Sequence, residues 1–354
     1  MFNLYQGDYK RYLIIPAILF VVFIFLVFVY PGITPGIDLK GGTSIIVRAS
    51  EPLEAHLIET ALKEKYSFSE LQIGEVSSPT SHGLYIQFSE ETDFAKATSL
   101  LEQAESELNS NPENAKRLAS ESIAASAKFF PAVDVTNLSP IEAVAQAKTN
   151  LTKADQELQL GIQNTIQETY SLGDDIKIQK TEIGPSLGEN FYSTSITVSL
   201  IGIILVVIVV FIFFREFVPS AAIIGALFFD IFGALALMSI FKIPLSLATI
   251  PALLMLIGYS VDTDIMLTSR VLKRKEENPR KRAEESLITG LTMTLTTLGA
   301  LTVMTILSYL GQIEVVFQIS IVLLFGLLAD IISTWFMNAP ILLWYEERKE
   351  ASSR

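Results

Sequence analysis

Four aspartates stand inside long apolar stretches of this chain: Asp230, Asp262, Asp264 and Asp330. An ionised carboxylate at the centre of a bilayer costs at least ~2.5 kcal/mol even on the lenient insertion scale, so such a group faces a protein interior or a water path. The chemistry open to a carboxyl in that position is reversible protonation, which makes all four candidates for proton coupling. Asp262 is eight residues from Arg270, about 12 Å along a helix, too deep for its side chain to reach water by snorkelling. Helical spacing divides the group. Ser260, Asp264 and Thr268 are four apart and share one face, while Gly258, Asp262 and Ser269 lie along another, so this helix contacts more than one neighbour. A further apolar stretch carries Thr289, Thr292, Thr294, Thr296, Thr297 and Thr302. These hydroxyls either bond carboxyls and hold a water chain, or bond their own backbone and glue helices together.

Other chemistries find no support. The chain has no cysteine, which excludes disulfides, zinc thiolates and thiol catalysis, and its two histidines, His56 and His82, fall outside the apolar stretches on a solvated surface. No phosphate loop, nucleophile elbow or paired metal-ligand spacing is present. The expectation is therefore no catalytic residue, no metal, no cofactor and no enzymatic activity.

The elements that must position the aspartates are membrane spans. Half of the 354 residues are hydrophobic and the mean hydropathy is +0.44, too apolar for a soluble domain of this length. The apolar residues collect in stretches of about 20, enough for a helix to cross a hydrocarbon core of roughly 30 Å. Six spans are predicted: Tyr12 to Tyr30, Ser195 to Phe214, Val218 to Phe241, Leu245 to Leu267, Leu287 to Leu310, and Val315 to Tyr345. The first is an anchor and not a cleaved leader, being too long for a leader's apolar core and followed by no small-residue cleavage site. The last is long enough to tilt or to continue beyond the membrane. Seven lysines and arginines between Arg270 and Arg282 place the loop between spans four and five on the cytoplasmic side. Both termini then lie in the cytoplasm, and the segment between spans one and two lies outside.

That segment holds the whole net charge of −12: from Gly36 to Glu189 there are 24 acidic and 12 basic side chains. Nucleic acid is excluded as a partner, because phosphate binding needs a basic surface. Its pattern runs strand (Thr43 to Arg48), helix (Leu53 to Lys65), strand (Leu71 to Val76), a turn over Ser77 to Gly83, strand (Leu84 to Phe88), helices from Asp93 to Tyr170, and a last strand near Ile176 to Thr181. This is the ferredoxin-like, split βαβ order with a helical insertion. The insertion is rich in Ala, Gln, Glu, Ser and Asn, which predicts exposed, weakly packed helices. The predicted domains are residues 1–31, the cytoplasmic N-terminus and first helix; 32–189, the extracytoplasmic α+β domain; 190–346, helices two to six; and 347–354, a cytoplasmic tail.

Three motifs point to a family. Gly36-Ile37-Asp38-Leu39-Lys40-Gly41-Gly42-Thr43, Gly184-Pro185-Ser186-Leu187-Gly188 and Gly258-Tyr259-Ser260-Val261-Asp262-Thr263-Asp264 resemble, in this order, the SecD/SecF family of protein-export membrane proteins, within the RND superfamily. The resemblance covers nearly the whole chain and is to archaeal-type SecF. Asp230 sits where the family carries an aspartate in span three. The resemblance implies a six-helix half of an RND bundle that pairs with a SecD-like subunit, assists the Sec translocation channel in moving a translocating polypeptide, contacts membrane lipid and, in the bacterial case, draws on the proton gradient. Two departures stand out. Bacterial members read Asn-Asp where this chain has Asp262-Thr263, and they carry an arginine near Thr289, where this chain has none in span five. The bacterial carboxylate and arginine relay therefore does not transfer. A proton-driven RND exporter of lipid or small molecules is the alternative, though such exporters carry two outer domains and twelve spans. An intramembrane aspartyl protease using Asp230 and Asp262 has the right acid pair but lacks the Gly-x-Gly-Asp signature.

Overall fold

The computed structural model describes residue 5 and residues 7–49, 53–68, 71–78, 81–89, 92–170, 177–183, 185–273, 278–311 and 313–352. It divides into two compact units, Met1–Leu39 with Leu187–Arg354, and Lys40–Ser186.

The first unit is helical because its sequence is: six helices among the described residues are long and apolar enough to cross a bilayer. They are α1 (Ile14–Phe28, extended by a short turn over Tyr9–Leu13), α7 (Pro185–Phe214), α8 (Phe217–Ile240), α9 (Thr249–Lys273), α10 (Pro279–Leu310), and a last rod of α11 (Glu314–Ile332) and α12 (Ala339–Ser352). Helices α8, α9 and α11 form the centre, with about half of each buried, whereas α7 presents almost its whole surface outward. Small residues set the closest approach. A methyl group on Gly233 of α8 would come within 2.6 Å of the Ala329 side chain of α11, so only glycine permits that spacing.

Span six is one long run, Glu314–Ala351, but it is not regular α-helix throughout. Ser333–Asn338 is a π-helical turn joining α11 to α12. Pro340, two residues on, explains its place: its ring has no N–H and would clash with the carbonyl four residues back in a regular helix, and a widened turn relieves this. At the Lys/Arg-rich end of the bundle the chain termini are tied together. The Tyr9 hydroxyl donates to Glu347 at 2.7 Å, Arg280 pairs with Glu347 at 2.8 Å and Lys349 with Glu216 at 2.6 Å. Arg274 and Lys275 of that loop lie outside the described residues.

The second unit is a four-stranded antiparallel sheet of order β2-β3-β1-β4, with β1 Gly42–Ala49, β2 Leu71–Ser78, β3 Ser81–Phe88 and β4 Lys177–Ile183. Of the turn expected over Ser77 to Gly83, the described residues are strand, since β2 and β3 pair as far as Ser78 opposite Ser81, and Pro79 and Thr80 lie outside the described residues. The backbone ladder continues there although the side-chain pattern has turned polar. Helix α3 (Ala55–Lys65) and three more, α4 (Thr92–Glu107), α5 (Pro112–Ala125) and α6 (Pro140–Tyr170), complete the unit. Helices α5 and α6 start where the sequence says they should. Asn111 caps α5 ahead of Pro112, and Ser139 and Glu142 form a reciprocal capping box on α6.

The expectation of weak packing in the insertion is overturned. Ala97, Ala104, Ala115, Ala119, Ala143, Ala147 and Ala154 are all buried, and they join Leu101, Ile123, Ile162 and Ile166 in one core with Ile45, Val47, Leu84 and Ile86 of the sheet. Alanine here is a packing residue. It lets helix backbones approach closely and costs no side-chain entropy on burial. Asn150 in the same core is satisfied by Ser126, which donates to it at 3.1 Å, and by donating to the Pro131 carbonyl at 3.0 Å.

Candidate functional site

Three of the four intramembrane aspartates meet. Asp230 comes from α8, Asp264 from α9 and Asp330 from the end of α11, each at most 1% exposed. The face of α9 carrying Ser260, Asp264 and Thr268 turns inward, and all three are fully buried. Ser260 donates to Asp230 Oδ2 at 2.5 Å. The π turn supplies the other contacts. Ser333 bonds Asp230 Oδ1 at 2.6 Å, Thr334 lies 3.1 Å from Asp264 Oδ1 and 3.2 Å from Asp330 Oδ1, and the Asn338 amide donates to Asp264 Oδ1 at 2.7 Å.

This core is short of hydrogens. Thr334 has one hydroxyl hydrogen for two carboxyl oxygens, and Ser333 has one for Asp230 Oδ1 and for the Asp330 main-chain carbonyl at 3.2 Å. In each case the hydrogen is shared, or a carboxyl carries a proton and donates it back to the hydroxyl. Asp264 Oδ2, Asp330 Oδ2 and Asn338 Oδ1 are buried with no bonding partner. Among the described residues no lysine, arginine or histidine forms an ion pair with these aspartates, and no group of three or more acidic, histidine or cysteine side chains is arranged to hold a metal ion. The site is rich in acceptors and poor in donors, so its buried carboxyls share the few hydroxyl and amide hydrogens within reach.

Asp262 is elsewhere. Two residues before Asp264, it is exposed on the outward face of α9 with Gly258, whose Cα faces open space, and Tyr259, which is 41% exposed. The threonines of α10 do not reach the aspartates. Thr289, Thr292, Thr296, Thr297 and Thr302 each donate to a carbonyl three or four residues back in their own helix. Thr294 is buried, and Thr289 also accepts from Arg270 of α9 at 2.9 Å.

The first glycine motif is structural at its N-terminal end. The Gly36 amide donates to the Leu245 carbonyl at 2.6 Å, Leu245 donates to Thr34 at 2.9 Å, and Asp38 accepts from the Leu247 amide at 3.4 Å. This stitches the segment after α1 to the loop between α8 and α9. Gly41 and Gly42 have φ of +82° and +143°, and a methyl group on Gly42 would lie 2.6 Å from the Phe88 carbonyl oxygen, so the chain can enter β1 only with glycine here. Gly184 lies outside the described residues, Pro185 opens α7 and Gly188 is buried.

Ser333, Thr334 and Asn338 are site residues that spacing alone does not single out. Their signal is Pro340, which marks where span six must depart from regular helix, with three polar side chains just ahead of it.

The family described as Protein export membrane protein SecD/SecF, C-terminal, matches residues 162–348. Protein-export membrane protein SecF of Thermococcus gammatolerans is 43% identical over 211 residues, covering 60% of this chain and 64% of the relative. SecF of Pyrococcus furiosus is 47% identical over 176 residues, covering 50% and 58%. This chain thus spans under two thirds of the length of these relatives. The crystal structure of SecDF from Thermus thermophilus, titled a translocon-associated membrane protein, superposes with a TM-score of 0.61 at 15% identity, over 98% of this chain and 60% of that one. SecDF in its super-membrane-facing form gives 0.55 at 18% identity, over 99% and 40%; both likenesses concern the fold. With the match running over more than half of its residues, this multi-pass membrane chain belongs to the SecD/SecF family of protein export membrane proteins.

Proposed function

We propose that this chain is an accessory subunit of the Sec protein translocase, acting with a SecD-like subunit to promote protein export, and coupled to proton flow through its intramembrane aspartates. The observation that carries it is the division of α9 into two carboxyl faces, with Asp264 buried against Asp230 and Asp330 and Asp262 exposed on the outside. A carboxyl on the outer face of a span is costly against lipid. A second bundle seated there relieves that cost, which is what a half-sized RND plan requires. The inner carboxyls supply groups that exchange protons within the chain itself.

In this reading both termini and the Lys/Arg-rich loop are cytoplasmic, and residues 32–189 form a ferredoxin-like extracytoplasmic domain, supported by the sheet order β2-β3-β1-β4. That domain engages the translocating polypeptide beside the Sec channel, the apolar faces of α1 and α7 contact lipid, and no step is enzymatic. The test is Asp262→Leu against Asp262→Asn. With a partner bundle on this face, Asp262→Asn leaves co-purification of the SecD-like subunit intact and slows gradient-driven export of secreted proteins, while Asp262→Leu weakens both. Export and co-purification unchanged in both variants, over a range of proton gradients, would refute the reading.

A further inference from the structure

The π turn does more than relieve Pro340. In a regular α-helix Ser333 and Asn338 would stand about 140° apart around the axis, five steps of 100° each. An i→i+5 turn brings them closer together around the axis, and Thr334 is the next residue along. One turn thereby sets three polar side chains on three carboxyls: Ser333 on Asp230, Thr334 between Asp264 and Asp330, and Asn338 on Asp264. The three differ in what they commit. A hydroxyl can donate or accept as its carboxyl changes state, but the amide nitrogen of Asn338 only donates. Asp264 Oδ1, 2.7 Å away, is thus held as an acceptor, and Asp264 Oδ2 is left buried and unpartnered. Asn338 is itself fully buried, with its own Oδ1 unpartnered.

We propose that Asn338 is a positioning residue for proton exchange at Asp264: it fixes Oδ1 as the accepting oxygen, so that Oδ2 is the atom that takes up and releases the proton. Uptake forms one O–H bond on Oδ2 and removes one negative charge; release breaks that bond and restores the charge. This rests on the proton-coupling reading of the three carboxyls.

The test uses the full chain in lipid nanodiscs and infrared difference spectra between two pH values. The band removed by Asp264→Asn is that of Asp264. In Asn338→Ala this band moves to higher frequency, because the Oδ1 carbonyl has lost its donor, while the band assigned by Asp230→Asn stays in place. Asn338→Ser, smaller and still polar, is measured alongside in case the alanine variant does not fold. In export assays with the partner present, Asn338→Ala lowers gradient-driven export about tenfold, the scale of one lost bond to a charged group, and costs nothing further in an Asp264→Asn background. An Asp264 band unmoved in a folded Asn338 variant overturns the proposal. A band that moves while the gradient dependence of export stays normal supports Asn338 as the positioning residue and overturns the coupling reading instead.

Discussion

Gly290 on α10 faces the indole of Trp335, the residue at the centre of the π turn, and a methyl group placed on it would overlap the ring carbons and come within 3.2 Å of the Met266 methyl. The methionine can swing aside. The indole cannot, because it is 2% exposed and rigid. Gly290→Ala therefore forces α10 and the π turn apart, and overpacking of this kind costs ~1–3 kcal/mol. At ~1.4 kcal/mol per decade that is about a 5- to 150-fold loss in the folding equilibrium. The assay is built into the sequence, which has two tryptophans. In a Trp344→Phe background the fluorescence comes from Trp335 alone, inside the site. Denaturation of the nanodisc-embedded chain followed by this signal should show a lower midpoint for Gly290→Ala together with a shifted native emission. Gly290→Ser, which adds the same atom, should do the same. If the midpoint falls but the native emission does not change, the strain lies elsewhere and the Gly290 to Trp335 contact does not set the spacing. If neither changes, the reasoning from close packing at this turn is wrong.

Two further outcomes concern the inserted unit. Glu142 accepts from the backbone amide and hydroxyl of Ser139, which hold its carboxyl below its ordinary value of 4.5. A carboxylate depressed by folding contributes stability above its ordinary value and loses it as pH falls through the depressed one, so Glu142→Gln should make this unit easier to cleave with protease at pH 7 and indistinguishable from wild type well below pH 4.5; a difference that persists in acid would show that the capping box is not its source. Ala119→Leu, in the fully buried seam of α5, should lower the urea midpoint of this unit by an amount worth ~1–3 kcal/mol, whereas Ala132→Leu on the exposed loop should leave it in place.

The spans and the order of strands and helices were legible because their signals are local: runs of apolar residues, period-two strands, and Asn-Pro or Ser-Pro at helix starts. The packing of the insertion was not, because alanine reads as neutral in composition yet fills a tight seam between helices, as Ala97, Ala119 and Ala147 do. Nor was the fate of the α10 threonines, since a hydroxyl's choice between its own backbone and a distant carboxyl depends on which way the helix faces. In a membrane that facing is hard to read. Lipid-facing and core-facing residues are both apolar, so the amphipathic stripe that orients a surface helix in water is absent. Span six showed the same limit in another form: its apolar run is continuous from Val315 onward, and only Pro340 and the polar Ser333, Thr334 and Asn338 mark the change in helix type.

Polar residues therefore carry the orientation that hydrophobicity cannot, and α9 illustrates how. Asp262 and Asp264 are two residues apart, about 200° around a helix, so no rotation of α9 can bury both in one core. The structure resolves the choice in favour of Asp264, which has Thr334 and Asn338 for partners and stands with Asp230 and Asp330. Asp262 is then left exposed on the opposite side, covered by none of the described residues. The two carboxyls must answer to different perturbations. A change in the π turn reaches Asp264 through its hydrogen bonds and leaves Asp262 untouched. Removal of the partner bundle, under the proposed reading, exposes Asp262 to lipid and leaves the Asp264 contacts whole.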